Sequence, residues 1–166
     1  AQRTAKLEEA GRELTAQSHT LKELNEELNA VFDAATVGIA VMKDRRVVRC
    51  NRQMEVIFGA PAGGFVGVHG ETFYPIAGDR ARATEAVHDV MREGAGHQTE
   101  AQLVRRDGTV FWARMHATRL DAEVGTMVVL IEDITEEHQA AEALRQAKEV
   151  AESANRAKSS FLANMS

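Results

Sequence analysis

Leu7, Leu14, Leu21 and Leu28 recur every seven residues, and Ala10, Gln17, Leu24 and Val31 fall three positions after each. Alternating steps of three and four, held over more than three heptads, mark the narrow seam of a coiled coil rather than the broad apolar face of a helix packed on a core. At ~1.5 Å per residue such a helix is about 50 Å long. Backbone hydrogen bonds alone do not hold a rod of that length in water, so it needs a partner along its seam. A parallel homodimer through Leu7, Leu14, Leu21, Leu24, Leu28 and Val31 is therefore expected. The alternative is an amphipathic helix folded back on its own domain. Gln17, polar at a seam position, weakens the seam locally.

The seam also confines where a core can form. Residues 1–30 and 136–158 contain no proline and hardly any glycine or β-branched residues. Pro61, Pro75, nearly all the Gly, Val and Ile, and every aromatic except Phe161 lie between them. The chain thus divides into a leading helix over 1–30, a compact α/β domain over 31–136 and a trailing helix over 137–166. A net charge of −5 with no Lys/Arg stripe argues against a nucleic-acid partner. The single cysteine, Cys50, excludes an internal disulfide and a multi-cysteine zinc site. No membrane span or signal peptide is visible. These features together predict a cytoplasmic protein, and the chain reads as a piece of something longer.

Within the middle segment, Val37–Met42 and Val47–Asn51 flank the polar turn Lys43-Asp44-Arg45-Arg46 and predict a β-hairpin. Arg52 to Gly59 carries Met54, Ile57 and Phe58 at helical spacing, with Gly59 as the C-cap. Gly and Pro dominate 60–78, where short helices and loops are expected. Asp79 is the expected cap of the next helix, with Ala83, Val87, Val90 and Met91 on one face and a stop at Gly94-Ala95-Gly96. Three strands follow: Gln98–Arg105, Val110–Leu120 and Gly125–Glu132, the first two joined through Asp107-Gly108. The order β-β-α-α-α-β-β-β with short turns predicts an α+β fold, a five-stranded antiparallel sheet with short helices on one face.

These segments resemble the PAS domain family over roughly residues 28–136. The resemblance rests on Gly38-Ile39-Ala40-Val41, Asn51 with Met54-Glu55-x-Ile57-Phe58-Gly59, Arg106-Asp107-Gly108-Thr109 before Phe111-Trp112, and Asp133-Ile134-Thr135 at the end. One departure is the first hairpin turn, where Asp44-Arg45-Arg46 lacks the usual glycine. The resemblance implies a cavity between sheet and helices. Alternation in Phe111–Thr118 places Phe111, Ala113, Met115 and Ala117 toward that cavity, facing Met127, Val129 and Ile131. Trp112, Arg114, His116 and Thr118 fall on the other face, where the leading helix or a second subunit is expected to cover Trp112.

The resemblance also frames the ligand. Flavin-binding relatives carry an Asn-Cys-Arg-Phe-Leu-Gln motif that has no match here, and Ala113 and Ile131 stand where those relatives place ring-binding Asn and Gln, which argues against flavin. Haem-binding relatives use a histidine of the last helix; His88 is the candidate, one turn beyond the position that alignment from Asp79 implies. By analogy Tyr74, Arg80 and Arg82 lie near the cavity mouth and can meet the carboxylate of a small organic ligand. The cofactor is left open, and no metal site is expected from the scattered histidines. No phosphate loop and no nucleophile–base grouping supports catalysis.

At the end of the last strand, Asp133 reads as an N-cap, with Glu136 completing a capping box. In PAS-containing kinases the equivalent residues couple sheet to exit helix, so Asp133 and Thr135 are the signal-relay candidates. The exit helix repeats Ala140, Leu144, Ala147, Ala151, Ala154, Lys158, Phe161 and Met165, an Ala-rich seam that permits a change of packing; Leu144 and Ala151 are assigned to the dimer seam. Ala157–Ser166 resembles the start of the dimerisation and phosphoacceptor helix of bacterial hybrid sensor histidine kinases. The resulting reading is a sensory and dimerisation module of a two-component kinase, signalling to a response-regulator receiver through kinase parts outside this sequence. A haem-based gas or redox sensor and a ligand-free dimerisation spacer are the alternatives.

Overall fold

A computed structural model describes residues 1–94, 96–120 and 124–165. Ala95 in the expected helix stop and Ser166 in the phosphoacceptor-like ending lie outside the described residues. The elements are α1 (Gln2–Ala34), β1 (Gly38–Lys43), β2 (Arg46–Cys50), α2 (Arg52–Phe58), a 3-10 turn (Gly70–Phe73), α3 (Ala77–Glu93), β3 (His97–Val104), β4 (Val110–Arg119), β5 (Thr126–Asp133) and α4 (Thr135–Asn164). The strands form one antiparallel sheet in the order β2-β1-β5-β4-β3.

Period-two patterning builds that sheet. Phe111, Ala113 and Met115 of β4 and Met127, Val129 and Ile131 of β5 are buried, while Trp112, Arg114, Val128 and Leu130 between them are only half-buried. Helix α2 packs closely on β1, and glycine is required at the crossing: a Cβ on Gly38 would come within 3.1 Å of the Met54 sulfur and 3.2 Å of Ile57. The helix ends at Gly59 in the left-handed region (φ 66°), as the sequence predicts.

Asn51 joins three elements at once. It is fully buried. Its Oδ1 accepts from the backbone N–H of Ile39 (2.8 Å) and Met54 (3.0 Å), and its Nδ2 donates to the carbonyls of Phe32 (2.9 Å) and Val37 (3.0 Å). One amide thus caps α2, ties down the start of β1 and fixes the last turn of α1. Arg49 adds a cation–π contact 4.6 Å from the Phe32 ring centroid.

Strand ends shift by about one residue from the sequence reading, and two helix boundaries differ for a visible reason. Helix α1 runs to Ala34 because Asn51 and Arg49 hold its last turn against the domain. Helix α3 starts at Ala77 rather than at an Asp79 cap. The Ile76 carbonyl accepts from the backbone N–H groups of Asp79 (3.1 Å) and Arg80 (3.2 Å), so the cap position is Ile76 and Asp79 sits inside the first turn. Away from its last turn, α1 leaves its leucines in solvent, with Leu7 73% and Leu28 60% exposed. The helix does not fold back on its own domain. No helix among the described residues is long and apolar enough to cross a membrane.

Candidate functional site

The space between sheet and helices is filled unevenly. At one end Phe58 is surrounded by three other phenylalanines, with ring centroids 4.9 Å (Phe65), 4.8 Å (Phe73) and 5.4 Å (Phe111) away. At the other end a cavity of about 110 Å³ remains. Ala83, Ala86, Val87 and Val90, one face of α3, form its helical wall, and Met115, Ala117, Met127, Val129 and Ile131 form its sheet wall. Small residues facing each other across the gap leave it hollow.

The predicted cavity residues divide accordingly. Met115, Ala117, Met127, Val129 and Ile131 line the cavity; Phe111 and Ala113 are buried but belong to the solid part of the core. Tyr74 lines it too, its hydroxyl 3.5 Å from the Met115 sulfur. Burial pushes the Tyr74 phenol up to about 12, with the Asp79 charge adding to the shift. Arg80 and Arg82 do not line the cavity: Arg80 is exposed and its Nε donates to the Tyr74 carbonyl (2.9 Å), while Arg82 is exposed and paired with Asp79. His88 lies on the exposed side of α3, off the cavity wall.

A different arginine closes the cavity. Arg45, from the β1–β2 turn, pairs with the Glu71 carboxylate and donates to the Thr84 hydroxyl (2.8 Å). Both Arg45 and Glu71 line the hollow. Partial desolvation would raise the Glu71 carboxyl, but the Arg45 hydrogen bond and charge, with Thr84 and His69, outweigh it and hold it below the usual carboxylate range. The sequence signal was the turn itself. Asp44 (φ 47°) and Arg45 (φ 67°) both adopt the left-handed conformation without being glycine, and backbone strain of this kind gathers at functional positions.

The joint between sheet and exit helix is a second cluster. Asp133 Oδ1 accepts from the Thr135 backbone N–H (3.0 Å) and hydroxyl (2.6 Å), and its Oδ2 pairs with Arg105. Thr135 Oγ1 accepts from the Trp112 N–H (3.1 Å), and the Trp112 carbonyl accepts from Ile134 N–H (2.9 Å). Partial burial alone would raise the Asp133 carboxyl; the hydrogen bonds from Thr135 and Arg105 win and hold it low. The expected capping box is not formed. The cap position is Ile134, buried at 1% exposure, and Asp133 is the last residue of β5, bonding Thr135 in a tight turn.

Within the chain Trp112 is covered by the exit helix, where the sequence reading expected the leading helix or a second subunit. The His138 ring stacks on the indole at 4.2 Å with 2° between planes. Beside them Arg114 bridges Glu100 (3.0 Å), Glu132 (3.1 Å) and Glu137 (3.0 Å) across three elements. Arg105, which the sequence reading did not single out, lies 4.2 Å over the Phe111 ring, donates to the Ile57 carbonyl and meets Asp133. It therefore links α2, the aromatic cluster and the joint. The seam candidates Leu144 and Ala151 are exposed along α4, as are Leu7, Leu14, Leu21, Leu24, Leu28 and Val31 along α1.

The PAS domain family matches residues 35–136. Among solved structures, a PAS domain in complex with ethanol from a LuxR-family transcriptional regulator of Burkholderia thailandensis is similar at 24% identity, with a TM-score of 0.56 over 63% of this chain and 95% of that one. A PAS domain of an HTR-like protein from Haloarcula marismortui is similar at 19% identity, TM-score 0.61, covering 72% and 99%. A domain of a sensory box sensor histidine kinase/response regulator from Geobacter sulfurreducens is similar at 18% identity, TM-score 0.58, covering 68% and 96%. At these identities the likeness is one of fold. No curated protein matches the chain.

Proposed function

Because this chain belongs to the PAS domain family, a family of non-catalytic sensory domains, we propose that it is the sensory and dimerisation module of a two-component sensor histidine kinase. A change in the cavity or its packing is relayed through Asp133-Ile134-Thr135 to α4 and from there to the kinase. The observation that carries this reading is an unbroken run of contacts. Met115 and Ile131 of the cavity wall are cross-strand partners. Three residues back along β4, Trp112 bonds Ile134 and Thr135 and stacks on His138. A shift of the wall therefore reaches the first turn of α4 within two strands.

The histidine-kinase context rests on the resemblance of Ala157–Ser166 to a phosphoacceptor helix and on fold likeness to the Geobacter sulfurreducens domain. A response-regulator receiver is then the downstream partner, and the cytoplasm the compartment. The parallel homodimer is supported by the unpartnered seam of α1 and the exposed Leu144 and Ala151 of α4. A bistable exit helix needs little bias: about 1.4 kcal/mol between two packings changes their ratio tenfold.

The haem alternative loses ground on size and geometry. The cavity of about 110 Å³ is well under the roughly 300–1,000 Å³ that encloses larger ligands, and His88 is off its wall. The test is Asp133→Ala in the full-length kinase. The relay reading requires that autophosphorylation lose its response to stimulus. An unchanged response leaves Asp133 as a helix-start residue only.

A further inference from the structure

The hollow is polar where the β1–β2 turn closes on it, and the groups there are specific enough to indicate what they suit. Arg45 is held by the Glu71 carboxylate and the Thr84 hydroxyl. Glu71 reaches it from the 3-10 turn with a side chain that is 42% exposed. An ion pair that accessible to water is worth little on its own, so Glu71 can be exchanged for another carboxylate. The Tyr74 hydroxyl borders the same space at Met115, whose sulfur, a weak acceptor 3.5 Å away, is its one hydrogen-bond partner among the described residues. Thr99 adds a hydroxyl to the lining. Elsewhere the walls are Ala, Val, Met, Leu and Ile, with Gly70, Phe73 and, on β3, His97.

We propose that the cavity binds a short-chain monocarboxylic acid whose carboxylate replaces Glu71 at Arg45 and Thr84, with the alkyl tail lying between Ala86 and Ala117. This deepens the sensory reading above and rests on it. An acid fits better than a neutral amide or alcohol because this part of the cavity is an arginine and the Thr84 hydroxyl gathered around one carboxylate. Only another anion replaces what Arg45 loses when Glu71 leaves. Size sets the tail: at about 30 Å³ per water-sized group, 110 Å³ holds about four non-hydrogen atoms. Glu71 is then a built-in stand-in, and the acid competes with it. Arg80 and Arg82, already engaged at the surface, take no part.

The experiment is calorimetric titration of this chain with butyrate, acetate and butyramide, in wild type and in Arg45→Gln, Glu71→Gln, Ala117→Leu and Arg82→Gln, with circular dichroism to check folding. Butyrate should bind at least about tenfold more tightly than butyramide. It should also exceed acetate by about fifteenfold, near fourfold for each of its two further methylenes. Arg45→Gln should erase the preference for the acid, Glu71→Gln should tighten butyrate by removing its competitor, and Ala117→Leu should abolish binding by filling the hollow. Arg82→Gln should change nothing. Equal binding of butyramide, weaker butyrate binding in Glu71→Gln, or loss in Arg82→Gln overturns the proposal. Binding is read without the kinase, so its failure leaves the relay through Asp133 to be judged by phosphorylation alone, and the reverse holds too.

Discussion

The two ends of the interior use the same layers differently. Phe58 meets Phe65 and Phe73 tilted and Phe111 edge to face, and Phe65 stacks on Phe73 at 4.7 Å and 3°. Around Ala117 and Ala86, side chains too short to meet across the gap leave a cavity that Arg45 and Glu71 border. The solid end touches the output joint through Arg105, which lies over Phe111 and holds Asp133. The hollow end touches no output element directly and reaches the joint only along β4 and β5. A rigid anchor beside a compressible chamber is what a sensor requires, since close-packed interiors transmit strain and voids admit a ligand.

The contrast is broken most severely at Phe58. Truncation to alanine removes the ring that three others pack on, and Phe58→Ala should cost about 3–5 kcal/mol in urea unfolding. A loss below about 1 kcal/mol would mean that the aromatic end is no more solid than the hollow one. Next in size is Ala113→Val. Ala113 has no exposed surface and borders no cavity, so two added methyl groups have nowhere to go, and the expected loss is about 1–3 kcal/mol.

The sequence carried the solid end better than the hollow one. Met54, Ile57, Phe58 and Gly59 announce α2 by spacing and by a left-handed cap, and Asp107-Gly108 announces the β3–β4 turn. Alternation in β4 and β5 assigned Met115, Ala117, Met127, Val129 and Ile131 to one sheet face, the face on which the cavity lies. It could not separate them from Phe111 and Ala113, because period two assigns a face and not a depth along the strand. The glycine-free turn marked Arg45, but its pairing with Glu71 was not legible. They are separated by 26 residues and meet only because the β1–β2 turn folds over the 3-10 turn. Nor could Trp112 name its cover: a sheet face says that something packs there, and His138 of α4 supplies it. The joint was legible in its residues and wrong in its detail, since Asp133 bonds Thr135 and Arg105 rather than capping with Glu136.

A smaller effect sharpens how the solid end grips the joint. Asp133 is held below its ordinary carboxyl range, against partial burial, by Thr135 and Arg105. A carboxylate depressed in the folded state adds stability above its unfolded value near ~4. That stability is lost as pH falls through the lower folded value. Unfolding of the wild type between pH 7 and 2.5 should show this loss, and Asp133→Asn should flatten it, by about 1 kcal/mol or less for a pair at the surface. Parallel pH curves for the two proteins would detach Arg105 and Thr135 from the stability of the joint.

The smallest expected effect tests the hollow most directly. Ala117 stands on the same strand face as Ala113, four residues along β4, but borders the cavity. In Ala117→Val the added methyl groups enter space that holds no protein atoms, so they gain contacts and displace none. The change in stability should stay within about 0.5 kcal/mol, on either side of zero, because apolar burial offsets the restriction of a β-branched side chain. If Ala117→Val instead costs as much as Ala113→Val, the side chains around Met115 and Met127 have collapsed into the gap. The interior would then be solid at both ends. Should it prove neutral while butyrate binding falls, the same two methyl groups occupy the ligand's place, and the difference between the ends is functional as well as structural.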